Sequence, residues 1–326
     1  MARYNVLVTG AGAIIGYGII KSLLASKYDC KIIGIDIYKD AVGQAWTDEF
    51  IQAEPASSGG YISFLEQLVR NKKIDIVFFG TEQEIEKVVN CTNKHLIEKC
   101  VLNRKSLIDL SNDKWDTYNF LVKEQFPAIL SSVGKDYDLI IQEMGSPFLL
   151  KPRRSYAGKG MHRIKSKEEF RFWSGKISDE NYMVQKITGD EEHEYTASVF
   201  GLADGTCIKP IVMKRKLSQE GATSKAYSIK NSGIEKQIYN LVKILKPVGP
   251  TNFQFRYEDG EYYLLEINPR ISSSTSIRTL FGFNEAEMCI EWYLEHREPE
   301  NREIRQGMAL RFIDEWVRLD ESGSYF

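Results

Sequence analysis

The sequence predicts an α/β chain in which a doubly wound parallel sheet at the N-terminus precedes a two-part α+β unit. Three observations carry the prediction. Residues 4–10 (YNVLVTG), 30–38 (CKIIGIDIY) and 74–80 (IDIVFFG) are short apolar runs of the kind that form strands buried on both faces. Helical-period segments separate them, and strands alternating with helices give a parallel sheet with ligands at the strand C-termini. After about residue 100 the alternation yields to hairpins, marked by Asp204-Gly205 and Glu258-Asp259-Gly260.

In order, residues 1–105 hold strand 4–10, helix 17–26, strand 30–38, helix 60–72, strand 74–80 and helix 83–98. The helix at 60–72 rests on Ile62, Phe64, Leu65, Leu68 and Val69 at helical spacing. Residues 106–187 open with a helix over 106–125 and continue as strand, glycine loop, strand, helix and strand, ending in YMVQKI at 182–187. Residues 188–326 hold the two hairpins, helices near 232–245 and 284–296, and a last strand at 307–318. No repeat, low-complexity linker or charge block interrupts the chain, so the three sections are expected to pack as one compact unit.

Composition narrows the function classes. A length of 326 residues accommodates two or three domains, and a net charge of −2 gives no electrostatic footprint for nucleic acid or an anionic membrane. No apolar run approaches the ~18 residues of a membrane span. The N-terminus enters a strand directly without a signal-peptide pattern. Five cysteines lack CxxC spacing and four histidines lack an HExxH pattern, which fits reduced thiols in the cytoplasm and argues against a zinc hydrolase.

The most informative stretch is Thr251–Arg270, TNFQFRYEDGEYYLLEINPR, which reads as a hairpin. Gln254 lies on its first strand; Glu266, Asn268 and Arg270 alternate at the end of the second and so share a face. A carboxylate, an amide oxygen and a guanidinium on one face suit a magnesium-bound polyphosphate, and they equally suit a solvated strand face. Upstream, Lys151-Pro152 ends a strand before the loop Ser155-Tyr156-Ala157-Gly158-Lys159-Gly160-Met161. Its backbone N–H groups could cradle phosphate, or it could be an ordinary turn with a solvated lysine. A separate signal, GAGAIIGYG, places Gly10, Gly12, Gly16 and Gly18 between a strand and a helix, with Asp36 as the ribose acid of a dinucleotide reading. The third fingerprint glycine falls at Ile15, out of register, so close packing or a small-anion contact accounts for this loop better than NAD(P) does.

With the lysine, the glycine loop and the Glu266–Arg270 ending in this order, the chain resembles the ATP-grasp superfamily, in particular its carbamoyl-phosphate-synthase-like and pyrrolysine-biosynthesis-ligase-like members. The resemblance implies an N-terminal pre-ATP-grasp domain over 1–105, a lid subdomain over 106–187 and a C-terminal subdomain over 188–326 that carries the metal and phosphate site. It implies ATP contacts from Lys114, Lys151, Ser155, Gly158, Lys159 and Gly160. Adenine is expected at the hinge of Met183, Gln185, Lys186 and Ile187, and the ribose at Glu194, with Glu191 and Glu192 close by in sequence. Magnesium, one or two ions with manganese as a substitute, is expected on Gln254, Glu266 and Asn268. Arg270, Lys159 and Lys214 are the expected catalytic cations, while Arg215 and Lys216 are left without a role.

The chemistry implied is ATP-dependent joining of a carboxylate to an amine or ammonia through an acylphosphate. The alternative is phosphorylation of a carboxylate or carbamate, with an NAD(P) oxidoreductase as a third reading. Ser272–Ser276 with Arg278 could position the carboxylate; Glu82 or Glu84 could hold an ammonium group or simply serve a helix dipole. Expected partners are small molecules, with a possible homodimer, and neither nucleic acid nor membrane.

Overall fold

The computed structural model describes residues 3–155, 159–176, 181–219 and 221–317. The chain divides into two compact units, Met1–Val101 with Leu310–Phe326 and Leu102–Ala309.

In the first unit, strands β1 (Tyr4–Val8), β2 (Cys30–Asp36), β3 (Glu49–Gln52) and β4 (Ile76–Phe78) form a parallel sheet of order β3-β2-β1-β4. Strands β1, β2 and β4 lie where the apolar runs predict them; β3, a half-buried EFIQ without such a run, gives no comparable signal. The helices are α1 (Ile14–Leu24), α2 (Tyr61–Asn71), α3 (Glu82–Val89) and α4 (Lys94–Lys99). The single helix expected over 83–98 is broken because Asn93 accepts from the Leu96 N–H and starts a new helix.

The second unit contains two antiparallel sheets. Helices α5 (Lys105–Asn112) and α6 (Lys114–Lys123) replace the one helix expected over 106–125. Asp113 divides them: it is extended, and its carboxylate accepts from the Trp115 and Asp116 N–H groups as the cap of α6. Strands β5 (Ser131–Ser132), β6 (Phe148–Pro152), β7 (His162–Ile164) and β8 (Tyr182–Lys186) form a sheet of order β5-β8-β6-β7. Phe148, Leu150, Ile164, Tyr182 and Val184 pack beneath it on α7 (Tyr137–Met144) and α8 (Lys167–Ser174). Strand alternation therefore leaves Lys151, Met183 and Gln185 on the opposite face.

The larger sheet has the order β13-β12-β9-β10-β11-β14. Its strands are β9 (Glu194–Leu202), β10 (Cys207–Leu217), β11 (Thr223–Ile229), β12 (Val248–Glu258), β13 (Glu261–Asn268) and β14 (Gly307–Leu310). One face carries Tyr195, Ala197, Val199, Val212, Phe253, Phe255, Leu264 and Ile267. They pack on α5, α6 and α9 (Ser232–Leu245). Burying each of the two phenylalanines contributes about 1.5–3 kcal/mol. The β12–β13 turn is a two-residue hairpin with Asp259 at φ 49° and Gly260 at φ 89°. A register shift after Gln254, which pairs with Glu266 while Phe255 pairs with Leu264, inserts one extra residue in β13. This bulge keeps Leu264 and Ile267 in the core while Glu266 and Asn268 face the other way.

Helices α10 (Thr275–Leu280) and α11 (Glu285–Cys289) follow, the latter widening into a π turn over Ile290–Leu294. Among the described residues the last strand is four residues long, shorter than the expected 307–318. None of their helices is long and apolar enough to cross a membrane.

Candidate active site

The non-core face of the large sheet is built from strand alternation. Opposite residues in register are Glu194, Arg215 and Arg256 in one row, then Thr196, Gln254 and Glu266, then Ser198, Asn252 and Asn268. A polar residue at every second position is ordinary for a wetted sheet; here most of these side chains are buried, so each must find partners. Glu266 Oε2 accepts from Gln254 Nε2 at 2.9 Å and from Asn268 Nδ2 at 3.3 Å. Gln254 Oε1 accepts from Arg215 at 2.7 Å, and Asn268 Oδ1 from Arg270 at 3.1 Å. The structure thus brings together Gln254, Glu266, Asn268 and Arg270.

Glu194 is buried, with one carboxylate oxygen taking Arg215 at 2.8 Å and the other Arg256 at 3.2 Å. A ribose hydroxyl could reach it only by sharing or displacing these guanidinium bonds. Glu191 and Glu192 lie in the short turn before β9, and Glu192 pairs with exposed Lys216 at 3.2 Å.

Lys214 is not part of this group. Its register partner is Tyr195, a core residue, so it lies on the face opposite Glu266. Its neighbour Arg215, left without a role by the sequence, occupies the place expected of Lys214. The signal was present: Arg215 stands opposite Glu194, whose parity along β9 assigns the polar face.

From the smaller sheet, Lys151 Nζ donates to Gln185 Oε1 at 2.7 Å, and Gln185 Nε2 donates to Ser131 at 2.9 Å. Lys114 Nζ donates to the Ser155 carbonyl at 2.8 Å and lies 3.3 Å from its hydroxyl. Burial pulls the Lys151 ammonium down to about 8; Lys114 adds repulsion and Glu266 opposes it. The two lysines are held near each other because Asp113 accepts from both Arg153 (2.8 Å) and Arg154 (3.3 Å), fastening the end of β6 to the start of α6. Met183 is fully buried, and the Lys186 N–H is already bonded to the Leu130 carbonyl at 2.9 Å. Backbone recognition at this hinge would therefore fall to groups other than that N–H, around half-buried Ile187. Lys159 and Gly160 form an exposed turn, with Gly160 at φ 75°; Gly158 and Tyr156 lie outside the described residues.

Glu266 is reached by Arg215 through Gln254 and by Arg270 through Asn268, and it favours the Lys151 ammonium, while Glu194 binds both Arg215 and Arg256. Such a gathering of cations favours a polyanion. A hard divalent cation fits more narrowly. Among the described residues no cluster of three or more His, Cys, Asp or Glu exists that could cage a metal. Glu266 with the oxygens of Gln254 and Asn268, once these amides turn, offers one anionic and two neutral oxygens. That set suits magnesium that keeps its waters and arrives with phosphate.

In the first unit, the glycine loop is committed elsewhere. Asp36 accepts from the Gly12 N–H at 2.8 Å and from the Tyr38 N–H at 3.0 Å. A Cβ on Gly16 would stand 2.0 Å from the Gly10 carbonyl oxygen. These glycines serve close packing of helix against strand. Glu84 is buried and accepts from the hydroxyls of Thr9 (2.5 Å), Thr81 (2.8 Å) and Tyr61 (2.7 Å), which leaves it neither a dipole partner alone nor an open ammonium site.

A family model described as "ATP-grasp in the biosynthetic pathway with Ter operon" matches residues 181–316. The carbamoyl phosphate synthase large chain of Thermoplasma volcanium is 23% identical over 239 residues, covering 66% of this chain and 23% of its own. That of Thermoanaerobacter pseudethanolicus is 24% identical over 310 residues, covering 84% and 27%. The chain spans about a quarter of the length of these relatives. Among solved structures, N5-carboxyaminoimidazole synthetase from Staphylococcus aureus complexed with ADP superposes with a TM-score of 0.74 at 17% identity, over 96% of this chain and 83% of that one. Biotin carboxylase from Campylobacter jejuni, as a β,γ-ATP complex, gives 0.72 at 18% identity over 93% and 74%. The fold, a parallel sheet followed in sequence by two antiparallel ones, is shared with these synthetase and carboxylase structures. Residues 181–316 are thus similar to an ATP-grasp family model, and much of the chain is similar to segments of carbamoyl phosphate synthase large chains.

Proposed function

We propose that this chain is an ATP-dependent ligase that joins a carboxylate to an amine or ammonia, releasing ADP and phosphate. One observation carries the reading: Glu266, flanked by Gln254 and Asn268, sits among Arg215 and Arg270 at the large sheet and within electrostatic reach of Lys151 of the smaller one. An oxygen donor set ringed by cations suits a metal–polyphosphate better than a neutral cofactor.

In this reading the substrate carboxylate attacks the γ-phosphorus, the bond to the β–γ bridging oxygen breaks, and ADP leaves. The amine then adds to the acyl carbon of the acylphosphate, loses a proton and expels phosphate. Gln254, Glu266 and Asn268 would hold magnesium, which supplies charge neutralisation to the phosphates. Lys151 and Lys114 would orient the α- and β-phosphates, and Arg270 would meet the negative charge that builds on the transferring group. Arg215 takes the supporting place expected of Lys214 by fixing the amide of Gln254. Lys159 would close over the phosphates and limit hydrolysis of the acylphosphate. Small-molecule substrates, a cytoplasmic setting and a homodimer form the expected context.

Phosphorylation of a carboxylate or carbamate without amine transfer is the second reading, favoured by the synthase large chains among the relatives. ADP release screened over paired carboxylates and amines tests both. ADP that forms only with a carboxylate, and faster with a matching amine, supports the ligase. Amine-independent turnover without an amide product supports the second reading, and no ADP with any pair contradicts both.

A further inference from the structure

Arg278 is fully excluded from solvent, as is its ion-pair partner Glu285. It is therefore not an open carboxylate-binding group, as its place beside Ser272–Ser276 had suggested. Its bonds run in four directions. Nη1 donates to Ser272 Oγ at 2.8 Å and to Glu285 Oε1 at 3.3 Å. Nη2 donates to Thr196 Oγ1 at 3.0 Å and to Asn252 Oδ1. Glu285 is steadied in turn by Ser198 Oγ at 2.6 Å.

The partners are the immediate neighbours of the metal floor. Thr196 stands opposite Gln254 in register, Asn252 stands opposite Asn268, and Ser272 follows Arg270 by two residues. One guanidinium thus ties β9, β12, the loop after β13 and α11 at the point where the proposed magnesium ligands are presented. The arrangement is costly for stability alone. A buried ion pair often gains nothing over apolar packing. Here Arg278 Nε, Asn252 Nδ2 and Thr275 Oγ1 are also buried without partners.

We infer that Arg278 is a positioning residue: held by Glu285, it fixes Thr196, Asn252 and Ser272 so that Gln254, Asn268 and Arg270 meet a metal–nucleotide in register. The inference rests on the proposed ATP and magnesium site. Arg278 itself touches none of the proposed ligands of the metal or the phosphates.

The test is calorimetric titration with ADP, with and without magnesium, on the wild type, Arg278→Lys and the charge-neutral pair Arg278→Met with Glu285→Leu. The paired variant removes both buried charges, so loss of fold through an uncompensated Glu285 is avoided. Both proteins should bind metal-free ADP as the wild type does and lose about 10–100-fold in the magnesium-dependent tightening, the usual size of an outer-shell defect. A purely structural plug would instead be restored by the apolar pair. Wild-type tightening in the folded paired variant overturns the inference; should that variant not fold, wild-type tightening in Arg278→Lys overturns it. A wild type whose ADP binding ignores magnesium would sink the metal site itself, a separate result read before either variant.

Discussion

The N-terminal glycine loop and the polar face of the six-stranded sheet look alike in sequence: each offers a nucleotide-binding signal at the end of a strand. They differ in what their polar groups already hold. Asp36 spends its oxygens on the Gly12 and Tyr38 N–H groups, and Gly16 is needed where a Cβ would collide with a backbone carbonyl. The sheet face instead gathers cations around Glu194 and Glu266, and the neighbours of Glu266 are neutral amides able to turn. A glycine-rich loop is an economical solution to packing as well as to phosphate binding, whereas half-buried cations gathered around a candidate metal-binding oxygen set have few uses without an anionic ligand.

The widest separation between the two regions should come from substitution at their acids. Glu266→Ala or Arg270→Ala should lower ATP turnover at least about 100-fold, the scale of removing a preorganised electrostatic contact, with the unfolding transition retained. Asp36→Ala should leave turnover untouched and cost about 1–3 kcal/mol of stability, from the two N–H groups left without an acceptor. Equal loss of turnover in Asp36→Ala would reverse the assignment of the two signals. A thermal-shift panel sharpens the same contrast: an ATP analogue with magnesium should raise the melting temperature and NAD(P) should not, and the opposite pattern contradicts the site.

The next effect concerns pH. Lys151 is held down to about 8 in the free protein, so it is charged below that pH and loses its proton above it. A bound polyphosphate favours the ammonium, so binding above pH 8 requires proton uptake. Nucleotide affinity should then fall as pH rises through about 8, by at most tenfold per unit. Lys151→Arg, charged throughout, should flatten the profile; a flat wild-type profile between pH 7 and 9 would remove Lys151 from the phosphate site. The smallest effect separates neighbours on one strand. Arg215→Ala should impair turnover well beyond Lys214→Ala, because only Arg215 faces Gln254, and the reverse order would restore Lys214 to the site.

Much of the fold was legible in the sequence, because alternation and turn chemistry are local. Asp259-Gly260 marks the β12–β13 hairpin, and the apolar runs mark three of the four parallel strands. The two split helices were not, since Asp113 and Asn93 read as ordinary helix residues until their caps are seen. In the site, Gln254, Glu266, Asn268 and Arg270 follow from spacing. Arg215 required the register with Glu194, and the Arg278–Glu285 pair joins residues whose partners lie 26 to 87 positions away on strands 9 and 12. Such non-local polar pairing leaves no periodic trace.

The polar face as a magnesium–nucleotide floor is tested most directly by titrating ADP into the wild type and Glu266→Ala, each with and without magnesium. Magnesium should tighten ADP binding at least about tenfold in the wild type and leave Glu266→Ala at its metal-free affinity. Equal tightening in both proteins would contradict the site.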